Sequence, residues 1–280
     1  MTDFRLGLYE KSMPDDLSWE ERLVCAREAG YDFIEMSIDE SDSRLERLNW
    51  SDEEVRALLD TAAKSGLRPE SVCFSAQRRF PLGSGLPGAG EKALELLYKA
   101  ILLVSKLGIR IIQTQGYDCY YDEESSFATR ERFFRNMRAA AEIASQYGVI
   151  LGMETMENDF MNTTEKAMYY IREIKSPYLA VYPDIGNLSN AVQDVCKDLR
   201  TGRGHIAAAH LKETTPGRFR CVPYGTGRVD FPSIIRALLD QGVRRFTAEF
   251  WYQEGTGWRE ILKSNREFLL AQFEKALAFK

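Results

Sequence analysis

The stretch ASQYGVIL (144–151) ends one amphipathic helical pattern and begins an apolar, strand-like one, with Gly148 between them. The same helix–glycine–strand join recurs as AREAGYDF (26–33), AAKSGLRP (62–69), VSKLGIRI (104–111) and LLDQGVRR (238–245). Glycine commonly ends a helix, and recurrence of one structural join along a chain indicates a repeated unit. The sequence therefore predicts a chain built from strand–helix repeats.

Eight apolar segments of strand length alternate with longer amphipathic segments, the helix pattern over 51–66 opening on a capping box of Ser51 and Glu54. Eight such units predict a single (β/α)8 TIM barrel over residues 1–280. The alternative, a doubly wound open sheet, needs a glycine-rich first turn, but that turn reads EKSMPDD (10–16). The strand segments are 4–10, 32–38, 70–75, 110–116, 149–155, 179–185, 205–212 and 245–251.

The composition excludes several classes of partner. The net charge is −5, from 37 basic and 42 acidic residues, which argues against general binding to nucleic acid or to an anionic membrane. The five cysteines are scattered without a C-x-x-C motif, so we expect neither a disulfide framework nor a cysteine zinc site. We see no signal-peptide pattern and no membrane-spanning apolar run, and we expect a cytoplasmic protein.

Four consecutive strand segments each lead to one potential metal ligand: Glu154, Asp184, His210 and Glu249. The C-terminal ends of barrel strands meet on the active-site face. Three carboxylates in one apolar cavity repel one another and resist ionisation, and a divalent cation removes that conflict. This mostly oxygen donor set suits Mn²⁺, Co²⁺ or Mg²⁺, with Zn²⁺ as a further choice. Strand parity places His205 on the opposite face from His210.

Basic side chains near the same strand ends are candidates for binding a phosphate group. Arg78 and Arg79 follow the third strand, and Lys212 shares the face of His210. Arg228 closes the segment YGTGR (224–228), whose backbone N–H groups lie in a loop where many barrels bind phosphate. We expect these groups to face an anionic substrate.

Other features of the active-site face admit two interpretations. Glu35, inside the second strand, is either a structural hydrogen-bonding group or a substrate contact. The aromatic residues of YDCYY (117–121) and Trp251 either wall a pocket or pack at the barrel rim. The Gly- and Pro-rich tract PLGSGLPGAG (81–90) lies on the active-site face, where we expect a mobile lid.

Six long motifs identify a family. They are LGLYEKSMP (6–14), YDFIEMSIDESDSRLERLNWS (31–51), SAQRRFPLGS (75–84), YPDIGNLS (182–189), GHIAAAHLKETTPGRF (204–219) and VPYGTGRVDF (222–231). By these motifs the chain resembles the L-ribulose-5-phosphate 3-epimerase (L-xylulose-5-phosphate 3-epimerase) family of xylose-isomerase-like TIM barrels, also labelled hexulose-6-phosphate isomerases. The family belongs to L-ascorbate and pentose utilisation. The resemblance implies a sugar-phosphate substrate and a homo-oligomer, a dimer or higher.

The resemblance also implies roles for residues of this chain. Glu154, Asp184, His210 and Glu249 correspond to the family's metal ligands, and we expect Mn²⁺ as the ion. Glu154 and Glu249 correspond to the acid and base that remove and return the C3 proton. The resemblance further implies that a divalent cation bound there would act as a Lewis acid toward the negative charge that develops on the sugar oxygens.

Three positions depart from the relatives' pattern. Asn187 stands where epimerases of unphosphorylated ketoses have His, and we expect it to contact the substrate. Gln77 stands where close relatives have His, so any supporting role of an imidazole at this position is in doubt for this chain. Glu213 replaces an Asp, a conservative change.

Three rival functions remain open. An aldose–ketose isomerase acting on a hexulose 6-phosphate would use the same metal and glutamates. A metal-dependent endonuclease needs many histidines and a basic face, but the chain has two histidines and a pI near 5.4. A non-catalytic sugar-binding barrel would not need four intact ligands.

Overall fold

Each of the eight apolar segments contains a parallel strand in the computed structural model, which describes residues 4–278. The strands are β1 (Arg5–Tyr9), β2 (Phe33–Ile38), β3 (Pro69–Phe74), β4 (Ile111–Thr114), β5 (Ile150–Glu154), β6 (Leu179–Tyr182), β7 (Ala209–Leu211) and β8 (Arg245–Ala248). The helices are α1 (Trp19–Glu28), α2 (Asp42–Leu45), α3 (Asp52–Ser65), α4 (Ala89–Lys106), α5 (Phe127–Tyr147), α6 (Thr164–Ile174), α7 (Ile185–Ala191), α8 (Val195–Thr201), α9 (Phe231–Leu239) and α10 (Trp258–Ala278). Short 3₁₀ helices lie at Glu10–Ser12, Glu46–Asn49 and Ala76–Arg78.

The strands form one sheet in the order β6-β5-β4-β3-β2-β1-β8-β7. Its two edges meet through single bridges, Val181 with Ile206 and Asp184 with His210. The Val181 amide donates to the His205 carbonyl at 2.8 Å. The barrel is therefore nearly closed, which confirms the TIM-barrel prediction. β7 is shorter than the predicted 205–212, because residues 205–208 pair with β6 at one point instead of running along β8.

The glycines of the five helix–strand joins share one backbone conformation. Each has a positive φ, between 64° and 87°, in the left-handed region that glycine adopts without steric cost. Left-handed glycine closes a helix and turns the chain toward the next strand. The glycines are Gly30, Gly66, Gly108, Gly148 and Gly242. The predicted capping box of α3 is present, with the Glu54 amide donating to Ser51 Oγ at 3.3 Å.

The Gly- and Pro-rich tract 81–90 is packed against the barrel in its first part. Residues 81–84 are buried, the Asn136 side chain donates to the Leu82 carbonyl at 2.7 Å, and Arg132 donates to the Gly83 carbonyl at 2.9 Å. A Cβ at Gly83 would lie 2.4 Å from two backbone oxygens. Residues 81–84 are thus packed into the barrel rim, whereas residues 85–88 are exposed, and a mobile lid there stays a prediction.

The C-terminal helix α10 packs against its own barrel. Leu262, Leu269 and Phe273 are buried, and the Phe273 ring lies 5.0 Å from that of Phe246 on β8. The five cysteines are free thiols. Among the helices of residues 4–278, none combines the length and the apolar character needed to cross a bilayer.

Candidate metal centre and substrate pocket

Four side chains from successive strands meet at the C-terminal end of the barrel. Glu154 is the last residue of β5, His210 lies within β7, and Asp184 and Glu249 follow β6 and β8. All four are buried, and one potential ligand atom from each lies within 4.8 Å of all the others. The structure therefore brings together the four ligands expected from the sequence, in a group that could bind a metal ion.

Hydrogen bonds orient the imidazole of His210. Its Nδ1 lies 2.8 Å from Glu154 Oε1 and 3.2 Å from Glu249 Oε2, whereas its Nε2 lies 2.5 Å from Glu35 Oε1. The other Glu35 oxygen accepts hydrogen bonds from Ser71 and Tyr182, each at 2.8 Å. A carboxylate on one ring nitrogen commonly directs the other nitrogen to a metal. Glu35 faces the barrel interior and serves this hydrogen-bonding role.

The buried oxygen atoms fit a cation. Asp184 Oδ2 is buried beside the Lys212 ammonium, and Glu249 Oε2 is buried 3.2 Å from His210 Nδ1, so both oxygens already face positive or N–H-bearing groups. The Lys212 ammonium contacts Asp184 and lies 3.7 Å from Glu249, but it supplies one positive charge to three carboxylates. An imidazole with three carboxylates is a donor set for a divalent cation.

The charges in this cluster shift one another's pKa values. Burial raises the pKa of Glu154, and the charge of Glu249 adds to that effect. Burial also opposes ionisation of Glu249, but the charges of Lys212 and His210 outweigh it and lower its pKa. Burial would lower the pKa of His210, yet the charges of Glu249 and Glu35 raise it well above the usual value. The carboxylates thus compete for positive charge, as expected for a cation site.

The cluster opens into a pocket formed by the strand ends and their loops. Glu154 and Glu249 form part of its wall, and Trp251 also lines it. The other lining residues are Tyr9, Lys11, Cys73, Ser75, Arg78, Gln115, Met156, Glu157, Asn187, Lys212, Phe219 and Arg220. The pocket is therefore polar and contains several basic groups.

Sequence comparison places this architecture in a family. The profile described as xylose isomerase-like TIM barrel matches residues 24–272. The chain belongs to this family. L-ribulose-5-phosphate 3-epimerase UlaE of Escherichia coli strain SMS-3-5 is 42% identical over 272 residues, which cover 97% of this chain and 95% of that protein. The Escherichia fergusonii protein of the same name matches equally.

A solved structure of an L-ribulose 3-epimerase is similar in fold, with a TM-score of 0.81 at 20% identity, covering 99% of this chain and 96% of that one. The identity of 42% to an epimerase over nearly the whole chain confirms that this family member is an enzyme of the isomerase class.

The structure brings three of the five expected substrate-binding residues of this family member to the pocket: Arg78, Lys212 and Asn187. Within residues 4–278, Arg79 and Arg228 do not line it. Arg79 is exposed and bonds Asp42 at 2.6 Å, because the 3₁₀ turn at Ala76–Arg78 points consecutive side chains in different directions.

The backbone amides around the YGTGR segment (224–228) also form hydrogen bonds within the protein. The amides of Gly225 and Val229 donate to the buried Glu213 carboxylate at 3.0 and 3.1 Å, and the Arg228 amide donates to the Thr214 carbonyl at 2.9 Å. These groups are therefore not available to a phosphate. Glu213 holds this loop, and the Arg228 side chain is exposed.

Sequence reasoning missed six polar residues of the pocket: Tyr9, Lys11, Ser75, Gln115, Glu157 and Arg220. Ser75 and Gln115 directly follow β3 and β4. Residues at the C-terminal ends of barrel strands face the active site, and this reasoning, which predicted the candidate metal ligands, would have predicted these two residues as well. Gln77 is buried outside the lining, and its side-chain oxygen accepts the Gln115 amide at 2.7 Å. Through this hydrogen bond Gln77 holds the pocket residue Gln115 in position from outside the pocket.

Proposed function

We propose that this enzyme interconverts L-ribulose 5-phosphate and L-xylulose 5-phosphate by epimerisation at C3, with residues 1–280 forming one catalytic domain. The name of its 42% identical relatives supports this substrate, and the basic side chains among the pocket's lining suit a sugar phosphate. Because a phosphorylated sugar does not leave the cell freely, we place the enzyme in the cytoplasm. We also expect a homo-oligomer, a dimer or higher.

The observation that carries this proposal is the position of two glutamates. Glu154 comes from β5 and Glu249 follows β8, three strands further around the barrel, and both line the pocket. Epimerisation removes the proton from C3 on one face of the sugar and returns a proton on the other face. Two carboxylates that enter one pocket from strands three positions apart can serve as base and acid.

The metal would be held by Glu154, Asp184, His210 and Glu249, with Mn²⁺ as our first choice. When bound, a divalent cation there stabilises negative charge on the sugar oxygens as a Lewis acid. His210 is kept in place by Glu35 from behind, at 2.5 Å. Lys212, against Asp184, balances part of the remaining carboxylate charge.

Asn187 suits recognition of a sugar hydroxyl. Its side-chain Nδ2 donates to the Thr155 carbonyl at 2.8 Å, so the amide orientation is fixed. Its Oδ1 forms no hydrogen bond among the described residues and is available to accept one from the substrate. An imidazole at this position would present a different donor pattern.

A conversion assay tests this function. The purified protein is incubated with Mn²⁺ and L-ribulose 5-phosphate, and the products are separated by ion-exchange chromatography, with a chelator-treated sample as control. We expect L-xylulose 5-phosphate to form and chelation to stop its formation. An aldose phosphate as product would instead establish the isomerase, and no product would refute the phosphopentulose assignment.

A further inference from the structure

Lys212 is a buried cation beside the candidate metal ligands. The residue is 6% exposed, directly follows β7 and lines the pocket. Its ammonium contacts Asp184 Oδ2 and lies 3.7 Å from Glu249 Oε2. A buried charge is costly unless it is paired, and within residues 4–278 both ion-pair partners of Lys212 are candidate ligands. Its position is therefore tied to the end of the pocket where the reaction is proposed to occur.

The location of Lys212 suits a sugar oxygen near C3 better than the phosphate group for which the sequence made it a candidate. Glu249 is one of the two glutamates proposed to exchange the C3 proton, and Lys212 Nζ lies 3.7 Å from its Oε2. The phosphorus of the substrate lies beyond C4, C5 and the ester oxygen, away from the reacting carbon. A donor this close to Glu249 can instead reach the oxygens next to C3.

The Lys212 ammonium is held in place and still has an N–H for a ligand. An ammonium carries three N–H donors, and in the described part of the chain it pairs with two carboxylates, those of Asp184 and Glu249. Asp184 is itself fixed, because its Oδ1 accepts two backbone amides of α7 at 2.8 and 3.0 Å. The ring centre of Trp251 lies 5.8 Å from Nζ, and such a ring attracts a cation through its face. At least one donor thus remains for a bound sugar.

Lys212 also balances the charge that the group would have with a metal bound. Glu154, Asp184 and Glu249 carry one negative charge each when ionised, and a divalent cation supplies two positive charges. The imidazole of a histidine that binds a metal is neutral. The Lys212 ammonium brings the sum to zero, so negative charge that develops on a sugar oxygen meets no net repulsion from these groups.

We propose that Lys212 is a catalytic residue whose ammonium donates a hydrogen bond to the C2 oxygen of the bound ketose as negative charge develops there. The C3–H bond breaks, one glutamate takes the proton, and the electron pair forms a C2–C3 double bond while the C2 oxygen takes the charge. Return of a proton to the other face of C3 reverses this movement. Lys212 keeps its own protons and acts by stabilising charge. This role rests on the proposed 3-epimerase function.

Steady-state kinetics of two Lys212 variants test this role. L-ribulose 5-phosphate is assayed with Mn²⁺-loaded wild type, Lys212→Met, Lys212→Gln and the control Lys197→Met, at an exposed position of α8. We expect kcat of Lys212→Met to fall by about 100-fold or more, the usual cost of losing one donor to a developing oxyanion. Its KM should stay within about threefold of wild type. Lys212→Gln keeps an N–H donor without the charge and should recover part of the loss, whereas Lys197→Met should match the wild type.

Affinity for Mn²⁺, measured by calorimetry without substrate, separates this role from support of the metal site. Lys212 competes with a cation for Asp184 and Glu249, so Lys212→Met should bind Mn²⁺ at least as tightly as wild type. Lys212→Gln is titrated too, because it keeps a polar group beside Asp184 if methionine prevents folding. Unchanged kcat in these variants, or a loss of turnover explained by weaker Mn²⁺ binding, would overturn the role. A wild type that leaves L-ribulose 5-phosphate unconverted would instead refute the proposed function, and the role of Lys212 with it.

Discussion

His210 Nε2 lies 2.5 Å from Glu35 Oε1 in the barrel interior, on the side of the imidazole away from the metal cluster. Glu35 comes from β2 and His210 from β7, so the contact crosses the barrel. It leaves Nδ1 directed at Glu154, 2.8 Å away. The four-residue group that could bind a metal therefore rests on a deeper residue, Glu35, whose contact with Nε2 turns Nδ1 of His210 toward the group.

Removing the Glu35 charge should weaken metal binding without removing a ligand. Glu35→Gln keeps the shape of the side chain, but it is a poorer acceptor for the imidazole N–H. We expect the affinity for Mn²⁺, measured by calorimetry, to fall about tenfold or more. Ser71→Ala, which removes a neighbour of Glu35 at 2.8 Å, is the milder control. Unchanged affinity in Glu35→Gln would show that the imidazole is oriented by other contacts.

The two glutamates should each be required for proton transfer. For Glu154→Gln and Glu249→Gln we expect kcat to fall by about 100-fold or more, because an amide cannot accept the C3 proton. Both residues are also candidate ligands, so the metal content of each variant is measured alongside kcat. Near-normal turnover in either metal-loaded variant would exclude that residue as acid or base.

Removing the metal should lower thermal stability as well as activity. A ligand that binds the folded state raises stability in proportion to the logarithm of its concentration over Kd. We expect Tm to rise in steps as Mn²⁺ is added back to chelated protein, and His210→Ala to abolish the rise. A Tm insensitive to Mn²⁺ would contradict the site.

Acid should destabilise the protein through Glu10. This buried carboxylate lies 2.7 Å from Arg47 and 2.8 Å from Arg44. Burial alone would raise its pKa, but the hydrogen bond and charge of Arg47, with the charge of Arg44, lower it from 4.5 to about 2. Since the folded pKa lies below the ordinary one, the stabilisation is complete above pH 4.5 and is lost as the pH falls toward 2.

Glu10→Gln tests this dependence. At pH 7 we expect the free energy of unfolding, from urea titration, to drop by about 3–5 kcal/mol. The difference from wild type should shrink at pH 4 and again at pH 3. Glu20→Gln, at an exposed position of α1, should change little at any pH. A difference that does not vary with pH would show that packing, rather than charge, is responsible.

The sequence was sufficient to predict the barrel and the convergence of Glu154, Asp184, His210 and Glu249 because both follow from periodic features. Local backbone geometry determines both the glycines at five helix–strand joins and the candidate ligands at four strand ends. Asp184 and His210 illustrate this point, since the bridge that closes the barrel joins these two residues. Parallel strands in register bring such ends together without help from the loops.

The residues that line the rest of the pocket were harder to predict because loops determine their positions. Arg78 and Arg79 are consecutive, yet one lies over the rings of Tyr117 and Tyr120 while the other bonds Asp42. Nothing local in the sequence separates the two, since the contacts that sort them come from distant parts of the chain.

Hydrogen exchange at the sugar carbons tests the central claim most directly. The protein, loaded with Mn²⁺, is incubated with L-ribulose 5-phosphate in heavy water and followed by NMR. We predict that deuterium enters C3 as L-xylulose 5-phosphate forms, and that chelation stops both. Deuterium at C1 with an aldose product, or exchange at neither carbon, would contradict the assignment of Glu154 and Glu249 to epimerisation at C3.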